Sequence, residues 1–356
     1  MEILDLRSRP LRLAERIWRR PPGPGVRPLA RLAADLVHLA ARCRNAARGA
    51  PPTGVLVVSV GNLALGGTGK TPVVRQLALD LAGRGRRGAV LTRGYGSRAA
   101  GPLVVDAGDA AAGDESRLLA AALAGTGWTV VQARRRGRGL ARLLALEPAP
   151  EIIVVEDGHQ TAGVPRHLDV LILDDWRVQD STDRPRLEPR TGLVFPFGPY
   201  REDARGAGRA DVWLVESDHP PDGARAAAGA AVLGFRRRAT VAGDIPQPYA
   251  VVAGIAHPER FEADAAALAG APPRLAVRLD DHSRYTGDRV AQILAAGRRA
   301  GVAGWLTTEK DWVKLSGRWP AEVPMVPVVL EVAWTSQEAL PDVIEERLPV
   351  GRRNPR

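Results

Sequence analysis

The amino-acid sequence predicts an α/β protein with a doubly wound, mostly parallel sheet and a second, smaller α/β domain. Short apolar runs rich in β-branched residues alternate with helical stretches from Gly54 onward, which is typical of buried parallel strands joined by crossover helices. A shorter alternation of the same kind resumes after Pro248. The chain has 356 residues, and this length is sufficient for about two domains with separate cores.

The predicted elements divide the chain into five parts. A helical segment over residues 1–49 is followed by a larger core domain over 50–233, a connector over 234–248, a smaller domain over 249–340 and a basic tail over 341–356. The larger domain contains predicted strands at Val55–Val60, Ala89–Thr92, Trp128–Gln132, Ile152–Val155, Val170–Leu173 and Val212–Val215. The smaller domain contains strands at Ala250–Ala253, Trp305–Thr308 and Val328–Val332 and helices at Pro258–Ala269 and Gly287–Ala300.

The N-terminal segment is basic and amphipathic. A proline- and glycine-rich stretch from Pro21 to Gly25 separates two predicted helices, because proline and glycine interrupt helical structure. The second helix repeats apolar residues at three- and four-residue spacing, with arginines around them. Its apolar stripe is compatible either with packing on the core or with a position in a membrane interface. The stripe consists of Leu29, Leu32, Leu36, Leu39 and Cys43, and the arginines are Arg31, Arg42, Arg44 and Arg48.

The net charge of +10 comes almost entirely from arginine, since lysine occurs only at Lys70, Lys310 and Lys314. Such a charge favours anionic partners, which include nucleic acids, phospholipid headgroups and phosphorylated substrates. The four Phe and four Tyr residues form no run interleaved with basic residues, so binding of nucleic acid is not expected. The single cysteine excludes an intrachain disulfide. Neither a signal peptide nor a membrane-spanning segment is predicted.

A glycine-rich loop follows the first predicted strand and precedes a helix that is predicted from Pro72. Glycines allow successive backbone N–H groups to turn toward phosphate oxygens, and the positive end of the helix adds a favourable potential. The lysine of such a loop reaches the β- and γ-phosphates, and the following hydroxyl residue is a ligand of Mg²⁺. The sequence therefore predicts a P-loop NTPase-like domain that binds ATP and Mg²⁺ through Gly66, Gly67, Thr68, Gly69, Lys70 and Thr71.

Charged residues also follow other predicted strands of the larger domain. Glu156 and Asp157 come directly after a buried strand, where a nucleotide-binding sheet presents an acid to the metal. Arg93 leaves a second strand at its carboxyl end, which is the edge where ligands bind in such sheets. Asp114 stands at a predicted helix start and is either a general base or an N-cap carboxylate. Both interpretations remain open from the pattern alone.

The smaller domain offers two histidines near predicted strand ends, His257 and His282. A histidine beside acidic residues is able to orient a catalytic carboxylate or change its charge, and Asp281 precedes His282. Spacing alone does not distinguish the two histidines.

The motifs, taken together and in order, resemble those of the tetraacyldisaccharide 4′-kinase family, which phosphorylates a lipid A precursor in Gram-negative bacteria. The resemblance extends from about Val57 to Leu315. Beside the glycine-rich loop, the motifs that carry it are Val60-Gly61-Asn62, Arg93-Gly94-Tyr95-Gly96, Gly113-Asp114-Glu115, Asp157-Gly158 with Gln160, Phe197-Gly198-Pro199 with Arg201-Glu202, Ala253-Gly254-Ile255 with Pro258, Asp281-His282 and Thr308-Glu309-Lys310-Asp311.

This resemblance implies an ATP-dependent transfer of phosphate to the 4′-hydroxyl of an acylated glucosamine disaccharide 1-phosphate, at the cytoplasmic face of the inner membrane. It implies that Lys70 is catalytic, that Asp114 is the catalytic base and that His282 supports it, so that a proton relay spans the two domains. The metal ligands would be Thr71, Asp157 and Glu156. The basic residues Arg93, Arg136 and Arg201 match positions expected around phosphates or the substrate headgroup.

The chain departs from the usual patterns at several positions. Ala64 stands where a P-loop usually has glycine, and His159 follows Glu156-Asp157-Gly158 where the family usually has leucine or phenylalanine. The alternative function is a P-loop ATPase or GTPase switch of the partitioning or metallochaperone type. The loop of that class often has lysine where this chain has Leu65, which argues against the alternative.

Overall fold

The computed structural model describes residues 1–18, 23, 25–47, 49–67, 69–173, 175–179, 186–218, 225–226 and 229–349. These residues fall into two compact units. The larger unit comprises residues 20–237 and 332–356, and the smaller unit comprises residues 1–19 and 238–331.

The strands are numbered in chain order within the described part of the chain. They are β1 (Glu2–Asp5), β2 (Leu56–Asn62), β3 (Gly88–Thr92), β4 (Leu103–Val104), β5 (Thr129–Gln132), β6 (Ile152–Glu156), β7 (Leu168–Leu173), β8 (Trp176–Gln179), β9 (Arg186–Pro189), β10 (Val212–Glu216), β11 (Arg225–Ala226), β12 (Ala231–Val241), β13 (Tyr249–Ala253), β14 (Leu275–Arg278), β15 (Gly304–Thr308) and β16 (Met325–Trp334).

The helices are numbered in the same way. They are α1 (Arg9–Trp18), α2 (Val26–Ala46), α3 (Lys70–Gly83), α4 (Asp114–Ala122), α5 (Arg136–Leu144), α6 (Pro258–Ala269), α7 (Gly287–Ala300), α8 (Glu309–Leu315) and α9 (Leu340–Glu346), with a 3₁₀ helix at Ala204–Arg209.

The sheet of the larger unit has the strand order β12-β10-β7-β2-β6-β3-β5-β4. Every pair from β12 to β5 is parallel, and β4 alone in this order runs antiparallel, at the edge. The central strands β2, β3, β6 and β7 are buried along their whole length, as expected for parallel strands covered on both faces. The mostly parallel sheet predicted from the sequence is confirmed.

Helices cover both faces of this sheet. Alternate residues of β2 contact opposite cores: Val58 and Val60 pack with α3 and α9, whereas Val57 packs with α5 through Leu140 and Leu143. This alternation follows from the two-residue period of a strand. The larger unit is therefore doubly wound, and the carboxyl ends of its parallel strands share one edge.

The strands of the smaller unit follow the order β1-β14-β13-β15-β16, in which all neighbouring pairs are parallel. Its helices α6 and α7 start and end at the predicted residues, and they pack on the strands through Phe261 and Ile293. The prediction of a second, smaller α/β domain is confirmed.

The structure divides the chain differently from the predicted boundaries. Residues 1–49 do not form one segment, because β1 pairs with β14 of the smaller unit whereas α2 belongs to the larger one. The predicted connector begins inside β12. The predicted tail contains α9, which packs into the core of the larger unit through Val343 and Ile344. Such assignments depend on long-range strand pairing and packing, which local patterns do not encode.

The apolar stripe of α2 does not pack on the core. Leu29, Leu32, Leu36 and Leu39 are each more than half exposed, whereas Ala30 and Ala41 are buried on the opposite side of the helix. The interpretation that the stripe docks on the core is therefore wrong for these leucines, and Arg48 lies outside the described residues. None of the helices in the described part is long and apolar enough to cross a membrane.

Candidate active site

The glycine-rich loop joins the end of β2 to the start of α3. The helix begins at Lys70, two residues before the predicted start, and Gly69 caps it with a φ of +77°. Gly66 also has a positive φ, +98°, and both conformations favour glycine because it lacks a Cβ. Gly67 lies between them, and Thr68 is outside the described residues. The loop therefore has the left-handed backbone that turns N–H groups inward.

Lys70 is buried at the first turn of α3, with 9% of its surface exposed. Its Nζ donates a hydrogen bond of 2.9 Å to Oδ1 of Asn62 and lies 3.4 Å from Oδ1 of Asp157. Asn62 also donates to the carbonyl of Ala64 at 3.0 Å. The last residue of β2 therefore holds both the loop and its lysine.

Thr71 and Glu156 bring a hydroxyl and a carboxylate together at the ends of α3 and β6. Thr71 Oγ1 donates to Glu156 Oε1 at 3.1 Å. Glu156 is 3% exposed, and its pKa is raised to about 7 by burial and by the charges of Glu115 and Asp157, against the opposing charges of Lys70 and Arg136. A buried carboxylate with a raised pKa is typical of functional sites in a nucleotide-binding cleft.

We expect Glu156→Gln to stabilise the nucleotide-free protein at about pH 8 and to have little effect at about pH 5. The folded pKa of about 7 lies above the ordinary value of 4.5, so the folded state binds the proton more tightly than the unfolded state. The ionised carboxylate therefore destabilises the fold increasingly as pH rises from about 4.5 through 7, by on the order of 1–3 kcal/mol.

Thermal unfolding of wild type, Glu156→Gln and the exposed-site control Glu338→Gln at both pH values checks this expectation. A Glu156→Gln variant that is less stable than wild type at the higher pH would show instead that the ionised carboxylate supports the fold.

Asp157 follows β6 and is held by two cations. Arg201 Nη1 donates to both of its carboxylate oxygens, at 2.7 and 2.8 Å, and Lys70 lies nearby. Burial alone would raise the pKa of Asp157, but the charges of Lys70 and Arg201 lower it well below its usual range. Asp157 also has a φ of +55°, a left-handed conformation that is uncommon outside glycine. The structure therefore fixes an ionised carboxylate between Lys70 and Arg201.

The segment around Arg201 pairs with the loop after β2. Leu65 N donates to the carbonyl of Pro199 and Arg201 N donates to the carbonyl of Leu63, both at 2.7 Å. Gln160 Nε2 donates to the carbonyl of Asn62 at 2.9 Å. These bonds explain how Arg201, which is far from the loop in sequence, reaches Asp157.

The other two predicted phosphate-binding arginines differ in exposure. Arg93 is exposed directly after β3. Arg136 is 5% exposed, and its guanidinium donates to the carbonyls of Leu91 and Glu156 at 2.8 Å each. Burial lowers the pKa of Arg136. Its observed contacts join the ends of β3 and β6, and its predicted contact with phosphate stays a prediction.

Asp114 is the first residue of α4, and Gly113 is the cap. Asp114 is therefore not the N-cap itself but the residue that follows it. Gly113 N donates to Gln132 Oε1 at 2.7 Å, and a Cβ at Gly113 would lie 2.8 Å from the carbonyl of Tyr95. This close packing places the half-buried Asp114 beside the loop that follows Arg93, at the end of a helix where negative charge is favoured.

His159 is fully buried. Its Nδ1 lies 3.1 Å from Asp169, and its Nε2 lies 3.1 Å from the carbonyl of Gly206 and 3.1 Å from Arg209. A Cβ at Gly61 would lie 2.5 Å from the His159 Cβ, so glycine is needed at that point of β2. The position where the family usually has an apolar residue thus holds a buried, hydrogen-bonded histidine that follows Glu156-Asp157-Gly158.

His282 belongs to the smaller unit. It has a φ of +59°, its Nε2 lies 3.4 Å from Lys310 Nζ, and Lys310 Nζ donates to Asp281 Oδ1 at 2.8 Å. Burial alone would raise the pKa of Asp281, but the charges of Lys310 and His282 lower it. His257 instead lies exposed at the start of α6 beside Glu259. Asp157 and His282 are the two non-glycine residues with positive φ in the described part of the chain.

Sequence reasoning did not assign roles to Asn62 and Gln132, which hold Lys70 and the start of α4. Both are fully buried amides at the ends of otherwise apolar strands. A polar residue at the carboxyl end of a buried strand is the signal that could have identified them.

The family model described as tetraacyldisaccharide-1-P 4'-kinase matches residues 26–349. The chain belongs to this family. Its members are ATP-dependent kinases, so the family does not favour the alternative of a nucleotide-dependent switch. The recognition made from the ordered motifs is confirmed.

Curated relatives named tetraacyldisaccharide 4'-kinase resemble the chain over most of its length. The relative from Anaeromyxobacter dehalogenans is 37% identical, with 84% of each chain covered. The relative from Phenylobacterium zucineum is 38% identical, with 81% of this chain and 83% of the relative covered. The relative from a Bradyrhizobium species is 31% identical, with 94% and 98% covered.

A solved structure of the same family has a similar fold. It is the "apo" form of LpxK from Aquifex aeolicus in complex with ATP, which is 22% identical to this chain, with a TM-score of 0.63 and coverage of 91% of this chain and 99% of that one. The similarity confirms the fold class.

Proposed function

We propose that this protein transfers the γ-phosphate of ATP to the 4′-hydroxyl of a tetraacyldisaccharide 1-phosphate, which yields the 4′,1-bisphosphate precursor of lipid A. Membership of the kinase family supports the reaction. The observation that carries the proposal is the convergence of Lys70 and Thr71 on Glu156 and Asp157, at the adjacent ends of β2 and β6. This is the arrangement with which a P-loop protein holds a nucleoside triphosphate and its metal.

The residues around Thr71 fit a bound Mg²⁺. Thr71 Oγ1 and Glu156 Oε1 lie 3.1 Å apart, and hydroxyl and carboxylate oxygens are the hard ligands that Mg²⁺ prefers. The oxygens of Asp157 are hydrogen-bonded to Arg201, which favours Glu156 as the ligand beside Thr71 and Asp157 as an outer carboxylate. Bound Mg²⁺ would neutralise charge on the phosphates.

The chain's own residues would supply the remaining chemistry. Lys70 binds the β- and γ-phosphates and offsets the charge that develops on them. Asp114 accepts the proton of the acceptor hydroxyl, and His282 contributes to catalysis. Arg201 orients Asp157 and, with Arg93, favours an anionic ligand at the edge of the sheet. Arg136 holds the ends of β3 and β6 in register.

The reaction is tested by incubating the pure protein with γ-labelled ATP and tetraacyldisaccharide 1-phosphate. We expect label in a bisphosphorylated lipid and none when the offered lipid already carries a 4′-phosphate. Release of labelled inorganic phosphate without labelled lipid would overturn the proposal in favour of an ATPase.

The exposed stripe of α2 supports a peripheral position on an anionic membrane surface, where the acylated substrate resides. The four leucines of the stripe, each more than half exposed, share the helix with four exposed arginines. These are Arg27, Arg31, Arg42 and Arg44. Apolar side chains enter the boundary of the acyl chains while basic residues attract anionic headgroups, at roughly 1 kcal/mol each. The small residues of the opposite face remain packed on the protein.

We expect the double substitution Leu32→Ser and Leu36→Ser to weaken binding to phosphatidylglycerol vesicles by about ten- to a hundredfold, because two leucines lose their burial in the lipid. Vesicle sedimentation measures the effect, and added salt should weaken the binding of wild type as well. The matched control is Leu144→Ser, which changes an exposed leucine on another helix. Equal binding by wild type and the double variant would contradict the proposed surface.

A further inference from the structure

The guanidinium of Arg237 lies against the predicted phosphate-binding loop. Its strand, β12, lies on the other side of β2 from β6 in the strand order. Arg237, in β12, places its Nη1 only 2.7 Å from the position that a Cβ would occupy on Gly69. Gly69 is the residue directly before Lys70, and its φ of +77° belongs to the turn of the loop. No role follows from the sequence pattern, because Arg237 lies within the run Arg236-Arg237-Arg238.

Glu216 holds the guanidinium of Arg237 in a defined orientation. Arg237 Nε donates to Glu216 Oε1 at 2.9 Å, and Nη2 donates to the second carboxylate oxygen. Glu216 is the last residue of β10, which pairs with β12 in parallel register. The side chain of Arg237 is 16% exposed. The bidentate pair fixes a flat cation at the carboxyl edge of the sheet, where its third nitrogen meets the loop.

The strand order shows which part of a nucleotide this cation faces. Along the edge, the order is β12-β10-β7-β2-β6, so the phosphate-binding loop after β2 lies between Arg237 and the acidic residues after β6. Under the proposed function, the γ-phosphate end of the nucleotide would be directed toward Glu156, Asp157 and the metal. The nucleoside end is therefore directed toward β10 and β12.

We propose that Arg237, oriented by Glu216, binds the nucleoside end of ATP by stacking its guanidinium plane on the adenine ring. This inference rests on the proposed function, because it concerns the nucleotide of the same site. A guanidinium held flat by a carboxylate is suited to stacking on a π-face. Glu216 holds the guanidinium by two hydrogen bonds, so that little ordering is required on binding.

Calorimetric titration with two probes tests the proposal: ADP with Mg²⁺, which has a nucleoside, and inorganic tripolyphosphate with Mg²⁺, which has none. We expect Arg237→Ala to weaken the binding of ADP by about tenfold. The affinity for tripolyphosphate should change by less than about threefold, because the charge of Arg237 is already paired with Glu216. Arg237→Lys keeps the charge but lacks the planar group, so it should weaken the binding of ADP to a similar extent. Glu216→Gln keeps the arginine but loosens its orientation, so it should lower the affinity for ADP severalfold.

The matched control is Arg236→Ala, because Arg236 is exposed and pairs with Asp218. This variant should bind both probes as wild type does. Retained tripolyphosphate binding in Arg237→Ala shows that the loop is intact. Unchanged ADP affinity, or equal losses for both probes, would overturn the inference, and the kinase assay separates this result from failure of the proposed reaction.

Discussion

Replacing Lys70 with alanine is expected to lower kcat/KM for ATP by on the order of 10³-fold. Lys70 is the buried cation of the loop, and its Nζ already lies between Asn62 and Asp157. A charge that is fixed at the site before the reaction stabilises the phosphates of the transition state without further reorganisation. The carboxylate of Asp157 keeps Arg201 as a partner in the variant, so the fold should be retained.

Initial rates of lipid phosphorylation measure this effect, together with circular dichroism to verify folding. Arg84→Ala is the matched control, because Arg84 follows the opposite end of α3 and pairs with Asp342 and Glu345. We expect the control to lose some stability but no more than about half of its activity. A Lys70→Ala variant within tenfold of wild type would contradict the assignment of Lys70 to transfer.

Asp114→Asn is expected to lower kcat by about 10²- to 10⁴-fold while the affinity for ADP stays near that of wild type. The amide retains the shape and position of the side chain at the start of α4 but cannot accept the hydroxyl proton. Gly113 and Gln132 hold this helix start independently of the carboxylate, so the variant should fold. Measurement of kcat and of ADP binding separates chemistry from nucleotide binding.

The contribution of His282 is measured in the same assay. We expect His282→Ala to lower kcat by about tenfold or more. His257→Ala is the matched control, since His257 is exposed at the start of α6. A kcat of His282→Ala equal to that of wild type would contradict a catalytic role of His282.

Local sequence was sufficient for the elements that make the site. The glycine spacing before Lys70, the buried strand before Glu156 and the predicted helix start at Asp114 all appear at the expected places. These signals are local because backbone conformation near glycine and the burial period of a strand depend on neighbouring residues. The family was recognisable because its motifs are short runs of neighbouring residues that occur in a fixed order along the chain.

Contacts between distant segments were not predictable in this way. The pairing of β1 with β14 and the packing of α9 in the larger unit depend on partners more than two hundred residues away. Arg136 appeared as one of three adjacent arginines, and only its burial against the carbonyls of Leu91 and Glu156 distinguishes it. Spacing did not distinguish His257 from His282, and the choice of His282 followed from the resemblance; the structure adds that His282 has a positive φ and lies beside Lys310.

The sequence by itself determined that the chain forms an α/β protein, and it predicts a phosphate-binding loop from Gly66 to Thr71, because glycine, lysine and threonine at this spacing have few other uses after a buried strand. The tertiary structure alone decided which charges meet. It placed Arg201 on Asp157, Thr71 on Glu156 and Arg237 over Gly69. Electrostatic interactions depend on distance and burial in space, and these are set by strand order and packing.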